Sequence, residues 1–292
     1  MKSATTTTGP AAPVESRFAA HSAVRAVASH WPEYLMEAAG LGLFMISACA
    51  FTVLLEYPGS PFHQALPDPW LRRFVIGVAM GLTAIAIIYS PMGKRSGAHL
   101  NPAVTLTFLC LRKIETWDAV FYVLAQFVGG AFGVMLATHV LGAMLVGHAA
   151  VNYAVTLPGE PGRWIAFAAE MSLAFGLMLL VLNISNRPSL NRYTGLFAGA
   201  LIALYITVEA PLSGMSMNPA RTVASALPAQ VWTDVWVYFL APPLGMLLAA
   251  QTYLLTRGSG TVLCCKLHHE NNRRCIFRCR YHECADHSAT QA

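Results

Sequence analysis

The chain has 292 residues, 55% of them hydrophobic and only 11% charged, with 19 Lys and Arg against 14 Asp and Glu. Soluble domains carry about 25% charged residues, so this composition excludes an ordinary soluble domain and points to a polytopic membrane protein. The seven cysteines do not read as a disulfide scaffold: Cys49 and Cys110 sit in apolar context and the other five crowd the C-terminal tail.

Residues 1–30 are rich in Thr, Ala and Pro and contain no continuous apolar run. They read as a disordered tail with no cleavable signal, so the first span is expected to anchor itself. Six apolar stretches follow, at residues 34–55, 74–90, 117–141, 164–181, 195–208 and 231–255. Most approach the ~20 residues that a helix needs to cross a hydrocarbon core; the second and fifth read short. Two further helical candidates, residues 101–111 and 218–227, are too short to span. With six spans and the N-terminus inside, every Lys and Arg except Arg72, Arg73, Arg163 and Arg221 falls on the cytoplasmic side, as the positive-inside rule requires. The expectation is an integral protein of the cell (inner) membrane with both termini cytoplasmic.

The stretch SGAHLNPAVT begins at Ser96, and SGMSMNPART begins at Ser213, 117 positions later by subtraction. Each follows the second span of a unit that opens with a glutamate in its first span, Glu37 in one and Glu170 in the other. Each unit crosses three times, an odd number, so the second enters with opposite polarity. Such an inverted repeat places a functional site near the bilayer midplane. Asn is a strong N-cap and Pro is favoured at the first helical position, so Asn101-Pro102-Ala103 and Asn218-Pro219-Ala220 each read as a helix start. A helix that starts inside a membrane must line a cavity, because free backbone groups cannot face lipid. The two positive dipole ends then converge at the centre and repel cations and protons. If each Asn oxygen caps its own helix, its amide N–H₂ is free to donate to a solute.

This double motif resembles the aquaporin, or major intrinsic protein, family. The likeness extends to the two glutamates, to AQFVGGAFG (residues 125–133) and to APPLGM (residues 241–246). The resemblance implies an all-α membrane protein with six transmembrane helices and two re-entrant half-helices in an inverted repeat. It also implies a homotetramer with one pore per subunit, passing water and small neutral solutes. The chain then divides into a cytoplasmic tail (1–30), a channel domain (31–256, with repeats of about 33–141 and 163–256) and a basic Cys/His-rich tail (257–292). Arg221 corresponds to the pore arginine, while Glu37, Glu170 and His99 would support the re-entrant loops.

By the same resemblance the remaining filter positions are Met215, Ile206 and, in the second span, Met80 or, on strict counting, Gly81. This set lacks the aromatic residue and His of a water filter and the Trp–Gly–Phe set of glycerol facilitators. Thr222 also stands where those facilitators usually carry Asp. Flexible, weakly polar Met side chains suit several neutral solutes, although simple packing would serve equally to explain them.

The tail segment CCKLHHENNRRCIFRCRYHEC offers Cys275, Cys279, Cys284 and His282 as a candidate Zn²⁺ set, without the tight pair spacing of many zinc motifs. Cys264, Cys265, His268 and His269 form another half-site. The alternative is a basic tail gripping anionic lipid headgroups through Lys266, Arg273, Arg274, Arg278 and Arg280. No other cofactor, no nucleic-acid partner and no catalysis are expected, since the spans hold no nucleophile–base pair. The rival reading is a proton-coupled transporter using Glu37 or Glu170.

Overall fold

Ser22 accepts a hydrogen bond from the Arg25 N–H and starts α1 (Ala23–Glu56), the first element of a computed structural model that describes residues 22–142, 148–269 and 271–281. The helix therefore begins inside the stretch expected as a disordered tail. Once capped, the Ala-rich sequence that follows Ser22 favours helix. At 34 residues α1 is about 51 Å long, so its first turns project beyond a core of about 30 Å.

Among the described residues the other α-helices are α2 (Pro61–Ala65), α3 (Pro69–Tyr89), α4 (Pro91–Ser96), α5 (Pro102–Cys110), α6 (Thr116–Leu141), α7 (Arg163–Ser185), α8 (Thr194–Ser213), α9 (Pro219–Ala229) and α10 (Val235–Arg257). No strand occurs among the described residues. Six helices are long and apolar enough to cross a membrane: α1, α3, α6, α7, α8 and α10. Their outer faces expose apolar side chains such as Leu43, Leu82, Val128, Phe132 and Leu248. The protein is an all-α integral membrane protein.

The two stretches that read short are full spans of 21 and 20 residues. At α3 the Asp68 side chain caps the Trp70 N–H and Pro69 occupies the first turn, which carries the helix back past two arginines. Arg72 is accommodated there by Glu56 at 3.2 Å and by the Leu66 and Pro67 carbonyls. At α8 the apolar run stops before Glu209, but the helix continues through Pro211 to Ser213.

The packing repeats the sequence symmetry. Helix α1 pairs with α6 as α7 pairs with α10, and α3 pairs with α8 between the repeats. Gly129 on α6 and Gly245 on α10 make the two close crossings possible. A Cβ at Gly129 would lie 2.1 Å from the Ala38 carbonyl oxygen, and one at Gly245 would lie 2.2 Å from that of Met171. Small residues at such crossings let backbones approach within a membrane. Gly129→Ala is expected to destabilise by about 1–3 kcal/mol through overpacking. Gly260→Ala, where nothing lies within 4 Å, is the control; equal melting temperatures for the two in detergent would refute the assignment.

Candidate functional site

The two half-helices α5 and α9 meet head to head. Asn101 Oδ1 accepts from the Ala103 N–H at 2.8 Å, and Asn218 Oδ1 accepts from the Ala220 and Arg221 N–H groups at 3.0 and 3.2 Å. Each oxygen thus caps its own helix. The amides are less free than the sequence suggests. Asn101 Nδ2 donates to the Met217 carbonyl at 2.7 Å, and Asn218 Nδ2 donates to the Leu100 carbonyl at 2.8 Å. Each amide therefore spends one N–H on the opposite loop and retains the second. Both asparagines line a central cavity.

The loops that lead into these caps share one backbone conformation. Gly97, Ala98 and Leu100 have φ of 94°, 55° and 52°; Gly214, Met215 and Met217 have 78°, 49° and 52°. Four of these six are non-glycine residues in the left-handed region, a strain of roughly 1–3 kcal/mol each that surrounding bonds must hold. The buried glutamates provide those bonds. Glu37 accepts from Ser96 Oγ (2.8 Å), the His99 N–H (3.1 Å), the Leu100 N–H (2.7 Å) and Gln126 Nε2 (2.9 Å). Glu170 accepts from Ser213 Oγ (2.7 Å), the Ser216 N–H (2.7 Å) and the Met217 N–H (2.6 Å). Two tyrosines complete the brace: Tyr122 donates to the Ser96 carbonyl at 2.7 Å and Tyr238 to the Ser213 carbonyl at 2.5 Å.

His99 is 4% exposed. Its Nε2 lies 3.0 Å from the Cys265 carbonyl and its Nδ1 lies 3.1 Å from Thr105 Oγ1. A carbonyl can only accept, so Nε2 carries the proton and Thr105 faces the other nitrogen. Gln126 also donates to Thr105 Oγ1 at 3.1 Å. The sequence motifs contain Gln126, Ser96 and Ser213 but assign no role to them or to Tyr122 and Tyr238. A lone amide in an apolar span was the available signal for Gln126.

The cavity has a volume of about 450 Å³ and runs from Glu56 and Arg73 at one mouth to Leu267 at the other. Met80, Ile206, Met215 and Arg221 line it together. Gly81 instead faces the Gly199 carbonyl of α8, 2.5 Å from where its Cβ would stand. Buried Arg221 Nη1 has no hydrogen-bond partner, and the guanidinium bonds to none of the described residues. Just outside, Thr222 holds the loop: its Oγ1 lies 2.6 Å from Ser216 Oγ and accepts from Thr156 Oγ1 at 3.1 Å.

The family model for major intrinsic proteins matches residues 24–253. The chain belongs to the major intrinsic protein family. Its relatives among major intrinsic proteins include aquaporin NIP2-3 of Zea mays, 38% identical over 220 residues, or 74% of this chain and 70% of that one. Aquaporin AqpM of Methanothermobacter thermautotrophicus is 34% identical over 228 residues, covering 73% and 91%. The X-ray structure of the aquaglyceroporin from Plasmodium falciparum has the same fold, with a TM-score of 0.66 at 21% identity over 77% of this chain and 96% of that one.

Beyond the residues matched to the family, the tail folds back as a strap over one mouth of the cavity. The Leu263 N–H donates to Asn186 Oδ1 (2.7 Å), the Leu267 N–H to the Gly97 carbonyl (3.1 Å) and the Arg278 N–H to the Lys113 carbonyl (3.0 Å). Arg278 also pairs with Glu115 at 2.6 Å, Arg274 Nη1 reaches the Ser29 carbonyl at 3.0 Å, and Tyr281 donates to the Ser185 carbonyl. Phe277 stacks on His99 with centroids 5.5 Å apart. Lys266 is 2% exposed, and burial pulls its ammonium below the ordinary lysine pKa. Of the candidate metal residues, Cys275 and Cys279 come together, whereas His282 and Cys284 lie outside the described residues. The partners that the fold brings to Cys275 and Cys279 are Cys264 and His269.

Proposed function

We propose that the protein is a passive channel for water and small uncharged solutes in the cell (inner) membrane, with both termini cytoplasmic and four subunits in the assembly. The observation that carries this reading is the meeting of two capped half-helices, Asn101 and Asn218, inside a cavity that also holds the unpartnered Arg221 Nη1. Each retained amide N–H and the arginine can donate to a solute oxygen, while the converging positive dipole ends and the fixed cation disfavour protons and cations. The work is conduction, without catalysis. The four donors on Glu37 and the three on Glu170 occupy their oxygens, which speaks against a proton relay.

Met80, Ile206 and Met215, which line the cavity together with Arg221, make its wall apolar and deformable. Such a wall admits neutral solutes larger than water. Proteoliposomes are expected to pass glycerol and urea as well as water in stopped-flow shrinkage and swelling. Ile206→His, which narrows the wall and adds a polar contact, is expected to slow glycerol about tenfold while water flow is largely kept. Water conduction with no passage of glycerol or urea by the unmodified protein would sink the broad-solute reading.

A further inference from the structure

Conduction makes no use of the cysteines in the strap, yet the fold gathers them. Sγ of Cys264, Cys275 and Cys279 and a ring nitrogen of His269 all lie within 4.8 Å of one another. Cys264 Sγ and Cys275 Sγ are 3.7 Å apart, matching the edge of about 3.8 Å that a tetrahedron with Zn–S bonds of about 2.3 Å requires. Cys279 Sγ lies 2.9 Å from His269 Nε2. Three thiols and an imidazole form a donor set suited to a structural Zn²⁺ site.

Two further observations fit an ion there. The hairpin is closed at its base by the Arg280 N–H on the Leu263 carbonyl at 2.9 Å and turned by Asn271, whose Nδ2 donates to the His268 carbonyl at 2.7 Å. The segment rests apolar side chains such as Val262, Leu267 and Phe277 on the channel's own core, and a metal would tie the hairpin to itself as it does in other short segments. The second observation is charge. The buried Lys266 ammonium donates to the Arg274 and Arg273 carbonyls at 2.7 and 3.3 Å, and among the described residues no carboxylate forms an ion pair with it. Three thiolates on a dication carry one net negative charge, which offsets that cation.

We propose that Cys264, His269, Cys275 and Cys279 bind Zn²⁺, and that the ion fastens the strap as a plug in the cytoplasmic mouth of the cavity. The plug rests on the channel reading; the metal site does not. Cys264 and His269 flank residues 265–268, so one ion ties both ends of the stretch that crosses the mouth. Within it the Cys265 carbonyl accepts from His99, the Leu267 N–H donates to Gly97, and His268 packs edge-on against Tyr89 at 4.9 Å. The Leu267 side chain lines the cavity. With the ion bound the strap stays seated and flow is throttled; with the ion removed it lifts and flow rises.

The test has two arms on the full-length protein in detergent and in liposomes. In the first, Zn²⁺ content and titration with Co²⁺ are expected to give one ion per chain and a thiolate-to-cobalt absorption band. The Cys264→Ser, Cys275→Ser, Cys279→Ser triple variant is expected to lose both, Cys110→Ser to keep them, and His269→Ala to weaken affinity about tenfold or more. Absence of stoichiometric metal, or its persistence in a monodisperse triple variant, overturns the site. So does a Cys264–Cys275 disulfide found by mass spectrometry in place of bound metal. In the second arm, chelation is expected to raise water permeability of the unmodified protein about fivefold or more, and the triple variant is expected to be open with or without Zn²⁺. Full metal loading with permeability unchanged by chelation overturns the plug. A folded triple variant that passes neither water nor solutes counts against the channel reading itself, and the metal titration still decides the site.

Discussion

Glu37→Ala is expected to yield protein that fails to assemble or melts far below the unmodified chain. The substitution strips the acceptor from the His99 and Leu100 N–H groups, both inside a loop held at positive φ. A buried donor left unsatisfied costs about 1–3 kcal/mol, so the two backbone groups together lose about 2–6 kcal/mol, against total stabilities of about 5–15 kcal/mol. The Ser96 hydroxyl and the Gln126 amide lose the same acceptor, and the strain at Ala98 and Leu100 is no longer restrained. Glu37→Gln keeps one acceptor oxygen but sets an N–H₂ group against donors, so an intermediate loss is expected. The measurement is monodispersity and melting temperature in detergent. Native-like stability of Glu37→Ala would show that the carboxylate does not hold the loop.

Arg221→Val should behave in the opposite way, altering selectivity with little effect on folding. Among the described residues Nη1 has no hydrogen-bond partner, so no bond to them breaks at that atom, and a stability change within about 1 kcal/mol is expected. What disappears is a fixed positive charge beside the solute path. At about 4 Å and an effective dielectric of about 20, two unit charges repel by about 4 kcal/mol, a factor near 10³. Solvent and neighbouring groups reduce that figure, and a rise of about tenfold or more in proton or cation leak is the expected result. Dye-loaded liposomes carrying a pH gradient provide the measurement. An unchanged leak with intact water flow would assign the barrier to the half-helix dipoles alone.

The chain order of spans and the two short helices were legible because their signals are local. An apolar run has a length, and Asn-Pro-Ala supplies an N-cap and a first-turn proline within three residues. The ends of spans were harder to read, since Asp68 and Ser22 extend helices through polar sequence by capping. Contacts between distant residues were least legible. Glu37 reads as a buried carboxylate in need of partners, but that Gln126 of α6 is one of them depends on how α1 crosses α6. In the tail, the sequence offers Cys275 with Cys279 and, as a separate half-site, Cys264 with His269, but not the meeting of the two sets. Sequence spacing favours neighbours such as Cys275, Cys279 and His282, whereas a hairpin brings Cys264 and His269 back across the turn.

The crossed asparagine amides bear on how the molecule is made. Asn101 donates to a carbonyl 116 residues further along the chain, and Asn218 to one 118 residues earlier. Synthesis runs from the N-terminus, so the Met217 carbonyl that Asn101 engages in the finished structure is made only after the first half-helix. Neither repeat can finish its own cap region alone; each is the mould for the other. The lumen is therefore the keystone of the structure, set last, and an ordered lumen certifies that both halves have been inserted in the correct relative orientation.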